Sequence, residues 1–121
     1  MFAGTHTAII TPFRDGQVDA PTLKKIIDLQ FTSGVQGIVP CGTTGESPTL
    51  DYDEHERVIK LSVEYAAGRG LVIAGTGSNS TREAVEMTKQ AEDAGANAAL
   101  LVAPYYNKPT QEGLYRHFKA I

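Results

Sequence analysis

Gly37-Ile38-Val39-Pro40-Cys41-Gly42-Thr43-Thr44-Gly45-Glu46-Ser47 passes from an apolar strand pattern, through a polar turn, toward a helical pattern. Two adjacent hydroxyls flanked by glycines, just past a strand, make a compact cradle of backbone amides and side-chain donors. Unpaired amides at a strand-to-helix turn carry partial positive charge, which suits a small carboxylate or phosphate. Farther along, Pro104-Tyr105-Tyr106-Asn107-Lys108-Pro109 follows another apolar run in the same way. The same order recurs about four times: apolar strand, polar loop, amphipathic helix, glycine, next strand. The strands read as Thr7–Ile10, Gly37–Pro40, Leu71–Ala74 and Ala98–Val102. They are near-continuous apolar runs, the pattern of parallel strands covered on both faces.

The helices carry their own punctuation. Helix one starts at Asp19 as N-cap with Pro21 in its first turn, where a missing N–H does no harm. Leu23, Ile26, Ile27 and Phe31 form its apolar stripe, and Gly34 supplies a left-handed stop. Helix two opens at Asp51 with Asp53 and Glu54 suiting the helix dipole. It is expected to bury Val58, Leu61, Ser62 and Tyr65 and to end near Gly68. Helix three is expected to open with a capping box, Ser80-Thr81-Arg82-Glu83, and to stop at Gly95. A fourth begins at Thr110 with Leu114 and Phe118 one turn apart, and runs into the chain end at Ile121.

Strands alternating with helices imply right-handed βαβ units and a parallel sheet. Two architectures fit: an open doubly wound sheet, or part of a (β/α)8 barrel. About three and a half units are complete, roughly half of the ~250 residues a barrel uses, and an open sheet usually has a fifth strand. The chain therefore reads as unfinished.

At 121 residues, 41% hydrophobic and 21% charged, the composition is that of one globular domain. A net charge of −3, with Lys and Arg scattered along helices, argues against a nucleic-acid or anionic-membrane partner. No stretch approaches the roughly 20 apolar residues of a membrane span, and the N-terminus lacks a secretory pattern. One cysteine excludes an internal disulfide, and a cytoplasmic setting is expected.

In parallel α/β proteins the loops after the strands converge on one rim, where ligands bind. Here those loops are Thr11-Pro12, Gly42–Ser47, Gly75–Asn79 and Tyr105–Asn107. Gly42-Thr43-Thr44-Gly45 is open to a second reading as a tight turn only. It is not a P-loop, since Glu46-Ser47 stands where Lys-Ser/Thr is needed, and Gly75-Thr76-Gly77 lacks the third glycine of a dinucleotide fingerprint. Cys41 reads as a small buried filler. His6, His55 and His117 show no metal-ligand spacing, so no metal is expected. No cofactor is expected either. One of Tyr105 and Tyr106 is expected to pack while the other points to the rim. Glu112 and Arg116 read as a surface pair.

Over its whole length the chain resembles the dihydrodipicolinate synthase family of pyruvate-dependent class I aldolases. The resemblance rests on Met1, Phe2 and Gly4 with Ala8–Pro12, on Gly42–Ser47, on Ile73–Gly77, and on Pro104–Tyr115. The Gly-Thr-Thr-Gly-Glu turn is shared with N-acetylneuraminate lyase; the Tyr-Tyr-Asn-Lys-Pro stretch is narrower and favours the synthase. The resemblance implies the N-terminal half of a (β/α)8 (TIM) barrel, residues 1–121 covering strand one to the start of helix four. It implies a lyase that condenses pyruvate with aspartate β-semialdehyde on the way to diaminopimelate and lysine, as a homodimer or homotetramer. In that family pyruvate forms a Schiff base with a lysine on the sixth strand. Thr43 and Thr44 match the residues that hold the pyruvate carboxylate. Thr43 also matches a member of a proton relay with two tyrosines, of which Tyr106 matches the one that reaches into a neighbouring subunit.

The second relay tyrosine, the semialdehyde-binding arginine and the Schiff-base lysine belong to the part of the family pattern beyond this chain. None of Lys24, Lys25, Lys60, Lys89, Lys108 or Lys119 matches that lysine, so the chain alone is expected to be inactive. Ser47, His55, Asn79, Glu83 and Tyr105 match a lysine effector site of the family, while Pro48 and Tyr52 depart from the lysine-sensitive pattern; helix capping also accounts for Ser47, Asn79 and Glu83. Two other readings stay open: a sister aldolase of the N-acetylneuraminate lyase type, and a non-catalytic half-barrel that binds a small anion or associates with itself.

Overall fold

The short apolar runs pair as the sequence predicts, and their order decides between the two architectures. The computed structural model describes residues 2–121; Met1, the first residue of the family-like opening, lies outside them. In chain order the elements are β1 (His6–Ala8), β2 (Phe13–Arg14), β3 (Gln17–Val18), α1 (Ala20–Thr32), β4 (Gly37–Val39), α2 (Tyr52–Ala66), β5 (Leu71–Gly75), α3 (Thr81–Asp93), β6 (Ala98–Leu100) and α4 (Gln111–Ala120). A 3-10 turn, Ser47–Thr49, precedes α2. The main sheet is parallel in the order β1-β4-β5-β6, with Thr7 opposite Ile38, Ile38 opposite Val72, and Ile73 opposite Ala98.

That order follows the chain without reversal. Right-handed crossovers of constant direction carry every connecting helix to the same face of the sheet. Consecutive helices accordingly touch, α1 with α2, α2 with α3 and α3 with α4. A doubly wound sheet reverses its order and covers both faces. This arrangement is half of a (β/α)8 barrel. Its core lies between the sheet and the helices, around Leu23, Ile27, Ile38, Val58, Ile59, Val72 and Ala74. The opposite face is open, and Ile10 and Leu100 are 56% and 46% exposed.

Helix starts follow the capping signals. The Asp19 carboxylate accepts from the Thr22 amide (3.1 Å) and hydroxyl (2.8 Å) and from Arg14 (2.9 Å). Those bonds, Thr22 foremost, hold its carboxyl below the usual range. Asp51 and Glu54 form a reciprocal capping box, with each side chain accepting from the other's amide. Gly34, Gly68 and Gly95 take left-handed backbone after α1, α2 and α3.

Several boundaries differ from expectation. The β1 ladder covers His6–Ala8 rather than 7–10: the Ile9 amide still reaches the Val39 carbonyl, but Ile10 faces the open side. β6 covers Ala98–Leu100 rather than 98–102: its last ladder pair is Gly75 with Leu100, and the Thr76 amide still donates to the Leu100 carbonyl (3.1 Å). Only half of the Ser80 capping box forms: Ser80 accepts from the Glu83 amide (3.4 Å), while the Glu83 carboxylate accepts from Ser78 instead (2.8 Å). In α2, Leu61 and Tyr65 are half-buried and His55 is buried. In α4 the buried residue is His117, bonded to Thr81 (2.8 Å), and Phe118 is exposed. The β2–β3 hairpin lies outside the four strands the sequence predicts, since Arg14-Asp15-Gly16-Gln17 offers no alternating strand pattern on either side.

Candidate active site and adjoining cavity

All four polar loops leave the C-terminal ends of parallel strands, and hydrogen bonds tie them in pairs. The Thr11 hydroxyl, buried after β1, donates to the Gly45 carbonyl in the loop after β4 (2.7 Å). Asn79, after β5, and Asn107, after β6, exchange two bonds: Asn79 Nδ2 to Asn107 Oδ1 (3.1 Å) and Asn107 Nδ2 to the Asn79 carbonyl (2.9 Å). The sheet thus presents one rim. The sequence puts Thr11 on that rim but assigns it no role; its signal is a hydroxyl directly after an apolar strand and before a proline.

The Thr43 turn is wound tightly. Amides of Gly45 and Ser47 donate to the Gly42 carbonyl (3.0 and 3.3 Å), and that of Glu46 to the Thr43 carbonyl (3.1 Å). Among the described residues the Thr43 and Thr44 amides donate to nothing, and both side chains are exposed. Two glycines make the turn possible: a Cβ at Gly45 would lie 2.9 Å from the Cys41 amide nitrogen, and one at Gly75 would strike the Cys41 carbonyl. Gly75-Thr76-Gly77 therefore serves close packing between loops. Cys41 is buried at φ 55°, and burial pushes its thiol up to about 12, so it is a filler and no nucleophile.

Beside this turn lies a cavity of about 670 Å³ whose lining includes Thr43, Ser47, His55, Tyr52, Glu83 and Tyr105. It gathers four of the five effector-site candidates, with Pro48 and Tyr52 among its walls; Asn79 is not in the lining. His55 is 2% exposed, and its Nε2 donates to the Gly75 carbonyl (2.7 Å). Its Nδ1 is buried without a partner among the described residues. Burial lowers the His55 pKa, partly opposed by the Gly75 carbonyl, so the ring is neutral with a bare Nδ1. Burial, and then the Glu83 carboxylate, raise the Tyr52 phenol. Apolar Leu50, Met87, Leu100 and Val102 complete the wall.

Contrary to the expectation for one of them, neither Tyr105 nor Tyr106 packs: both are exposed, Tyr105 at 52%. Tyr105 borders the cavity, while Tyr106 is 95% exposed on left-handed backbone (φ 67°) and contributes nothing to it. Among the described residues no lysine lines the cavity: Lys24 and Lys60 pair with Asp28 and Glu56 on helices, and Lys108 is exposed. Glu112 and Arg116 form the surface pair read from the sequence (2.7 Å).

Comparison with known proteins fits this geometry. Residues 1–121 match the dihydrodipicolinate synthetase family. A 4-hydroxy-tetrahydrodipicolinate synthase of Pelobacter propionicus is 60% identical over 121 residues, which is all of this chain and 42% of that protein. Among solved structures, the 4-hydroxy-tetrahydrodipicolinate synthase of the methanotroph Methylacidiphilum fumariolicum SolV superimposes with a TM-score of 0.97 at 52% identity, over 99% of this chain and 40% of that one. A chloride-inhibited dihydrodipicolinate synthase from Acinetobacter baumannii, complexed with pyruvate, gives a TM-score of 0.93 at 56% identity, over 97% and 40% of the two chains. The chain thus spans about two fifths of the length of the relatives it matches.

Proposed function

The chain belongs to the dihydrodipicolinate synthetase family, and from that membership we propose that it supplies the pyruvate-gripping part of a lyase. The reaction is condensation of pyruvate with aspartate β-semialdehyde to 4-hydroxy-tetrahydrodipicolinate, a step toward diaminopimelate and lysine. The observation that carries this reading is the Thr43-Thr44 turn, whose free amides and exposed hydroxyls share a rim with the Tyr106 loop. Two amides and two hydroxyls fix a carboxylate, and with it the position of the reacting carbon. A Schiff base with a lysine supplied by residues beyond these 121 makes the pyruvate methyl an enamine nucleophile. Thr43 and Tyr106 pass protons without adding fixed charge beside the iminium. The near-complete exposure of Tyr106 supports its acting in a second subunit of a homo-oligomer. A reducing cytoplasm suits the single buried thiol.

The test joins these 121 residues in frame to the remaining portion of the Pelobacter propionicus relative. Borohydride is expected to trap pyruvate on a lysine of the joined protein and on none in the 121-residue chain. Turnover is expected with aspartate semialdehyde and not with N-acetylneuraminate. A folded joined protein that traps no pyruvate overturns the reading, and preference for the sugar acid shifts it to the sister aldolases.

The cavity favours a second, compatible role as an effector site for a small amino-acid cation such as lysine. Glu83 offers a carboxylate, Ser47 a hydroxyl, His55 a bare ring nitrogen, and Tyr52 and Tyr105 aromatic faces suited to a cation. Lysine is expected to inhibit the joined protein, and Glu83→Gln to abolish that inhibition. Equal inhibition of both proteins refutes the role.

A further inference from the structure

The loop after β6 holds an unfavourable shape without glycine. Tyr106 (φ 67°) and Lys108 (φ 48°) flank Asn107 on left-handed backbone, and the Asn107 amide donates to the Tyr105 carbonyl (2.8 Å). This closes a three-residue turn centred on Tyr106. Such turns are strained, and side-chain-bearing residues stay in them only where neighbouring groups hold them. Burial within the chain does not do so, because residues 105–108 are all exposed in it. Among the described residues, the only hydrogen bonds tying 103–109 to another element are the two between Asn107 and Asn79.

Asn79 is well placed to be the fixed partner. It follows Ser78, which is buried and donates to the Glu83 carboxylate (2.8 Å). It precedes Ser80, whose amide bonds Ser78 Oγ (3.1 Å) and whose hydroxyl caps α3. Thr76, fully buried, is bonded to Thr88 of α3 (2.8 Å). The loop after β5 is therefore pinned to a helix on both sides of Asn79, whereas the loop after β6 is pinned only through Asn107.

We propose that Asn79 and Asn107 form a clasp that positions Tyr106 for proton transfer, so that both are positioning residues for the reaction. This rests on the relay reading of Tyr106 given above. It assigns Asn79 to the rim, in keeping with its absence from the cavity lining. The two bonds are unequal under substitution. Asn107→Ala removes both, whereas Asn79→Ala removes only the amide donor and keeps the backbone carbonyl.

Kinetics of the joined protein test the clasp. Asn107→Ala is expected to lower kcat about 10- to 100-fold, the scale of a misplacement near 1 Å. Asn79→Ala is expected to lower it less, and the double variant to match Asn107→Ala, since coupled residues are not additive. KM for pyruvate and borohydride trapping are expected to hold, because the Thr43 turn is tied to Thr11 and not to the clasp. Parental kcat in Asn107→Ala, beside a large loss in Tyr106→Phe, overturns the clasp and leaves the relay standing. Parental kcat in Tyr106→Phe overturns the relay, and the clasp's catalytic purpose with it. A crystal structure of Asn107→Ala decides independently of kinetics: Tyr106 relaxed to negative φ supports the clasp, and Tyr106 unchanged refutes it.

Discussion

His55 joins three parts of the site through one residue. Its ring nitrogen holds the Gly75 carbonyl, its backbone carbonyl faces the Cys41 sulfur (3.8 Å), and its other ring nitrogen is buried beside the cavity with no partner among the described residues. Protonation would place a charge where burial disfavours it, so the folded-state pKa is depressed. An unfolded histidine takes its proton near 6.5. From that value down to the folded pKa, the unfolded state holds more protons, so stability falls as pH falls; above it both states are neutral and the dependence vanishes. Melting temperature is therefore expected to decline from pH 7 to pH 5. His55→Gln, less stable at pH 7.5, is expected to show a shallower decline over the same interval. An equally steep decline in the variant would show that His55 does not set the pH response. The sequence alone showed His55 as a match to a site. It could not show the bond to Gly75, which depends on two segments 20 residues apart meeting across the sheet end.

At the scale of elements, what the sequence made legible was whatever is decided locally. Helix starts at Asp19, Asp51 and Ser80 follow from one side chain meeting an amide three residues on, and the structure contains all three bonds. What escaped was decided by distant partners. The Ser80 box lost its second bond because Ser78, on the other side of the cap, competes for the Glu83 carboxylate. In α4 the buried side chain is His117, bonded to Thr81, 36 residues earlier, while Phe118 is exposed. The β2–β3 hairpin is held to α1 by the Arg14–Asp19 pair (2.9 Å), a contact outside any strand pattern. Of the caps, the Asp51–Glu54 box is the more complete, and it opens the helix that carries His55. Asp51→Ala is expected to cost about 1 kcal/mol, read as a lowered denaturant midpoint at unchanged slope. A loss below a few tenths of a kcal/mol would mean that packing of α2 alone sets its start.

Across the whole molecule the helices cover one face of the sheet and leave the other bare. Val39 and Ala74 are buried, but Ile10 and Leu100, on the two outer strands' exits, are half exposed. In a closed eight-stranded barrel such positions meet the side chains of other strands. In the 121-residue chain they meet water. Exposed apolar area carries about 25 cal/mol per Å² of unrealised burial, and a patch of this kind binds apolar probes or other proteins. The purified chain is therefore expected to enhance the fluorescence of an anilinonaphthalene dye. Ile10→Thr and Leu100→Thr are expected to reduce that signal while shifting stability by no more than about 0.5 kcal/mol, the range for exposed positions. In the joined protein the same substitutions become core changes, with no dye signal to lose and a cost of about 1–3 kcal/mol from a buried hydroxyl and lost methyl groups. Ile10→Thr destabilising the short chain as much as the joined one would show that another surface already covers this face in solution.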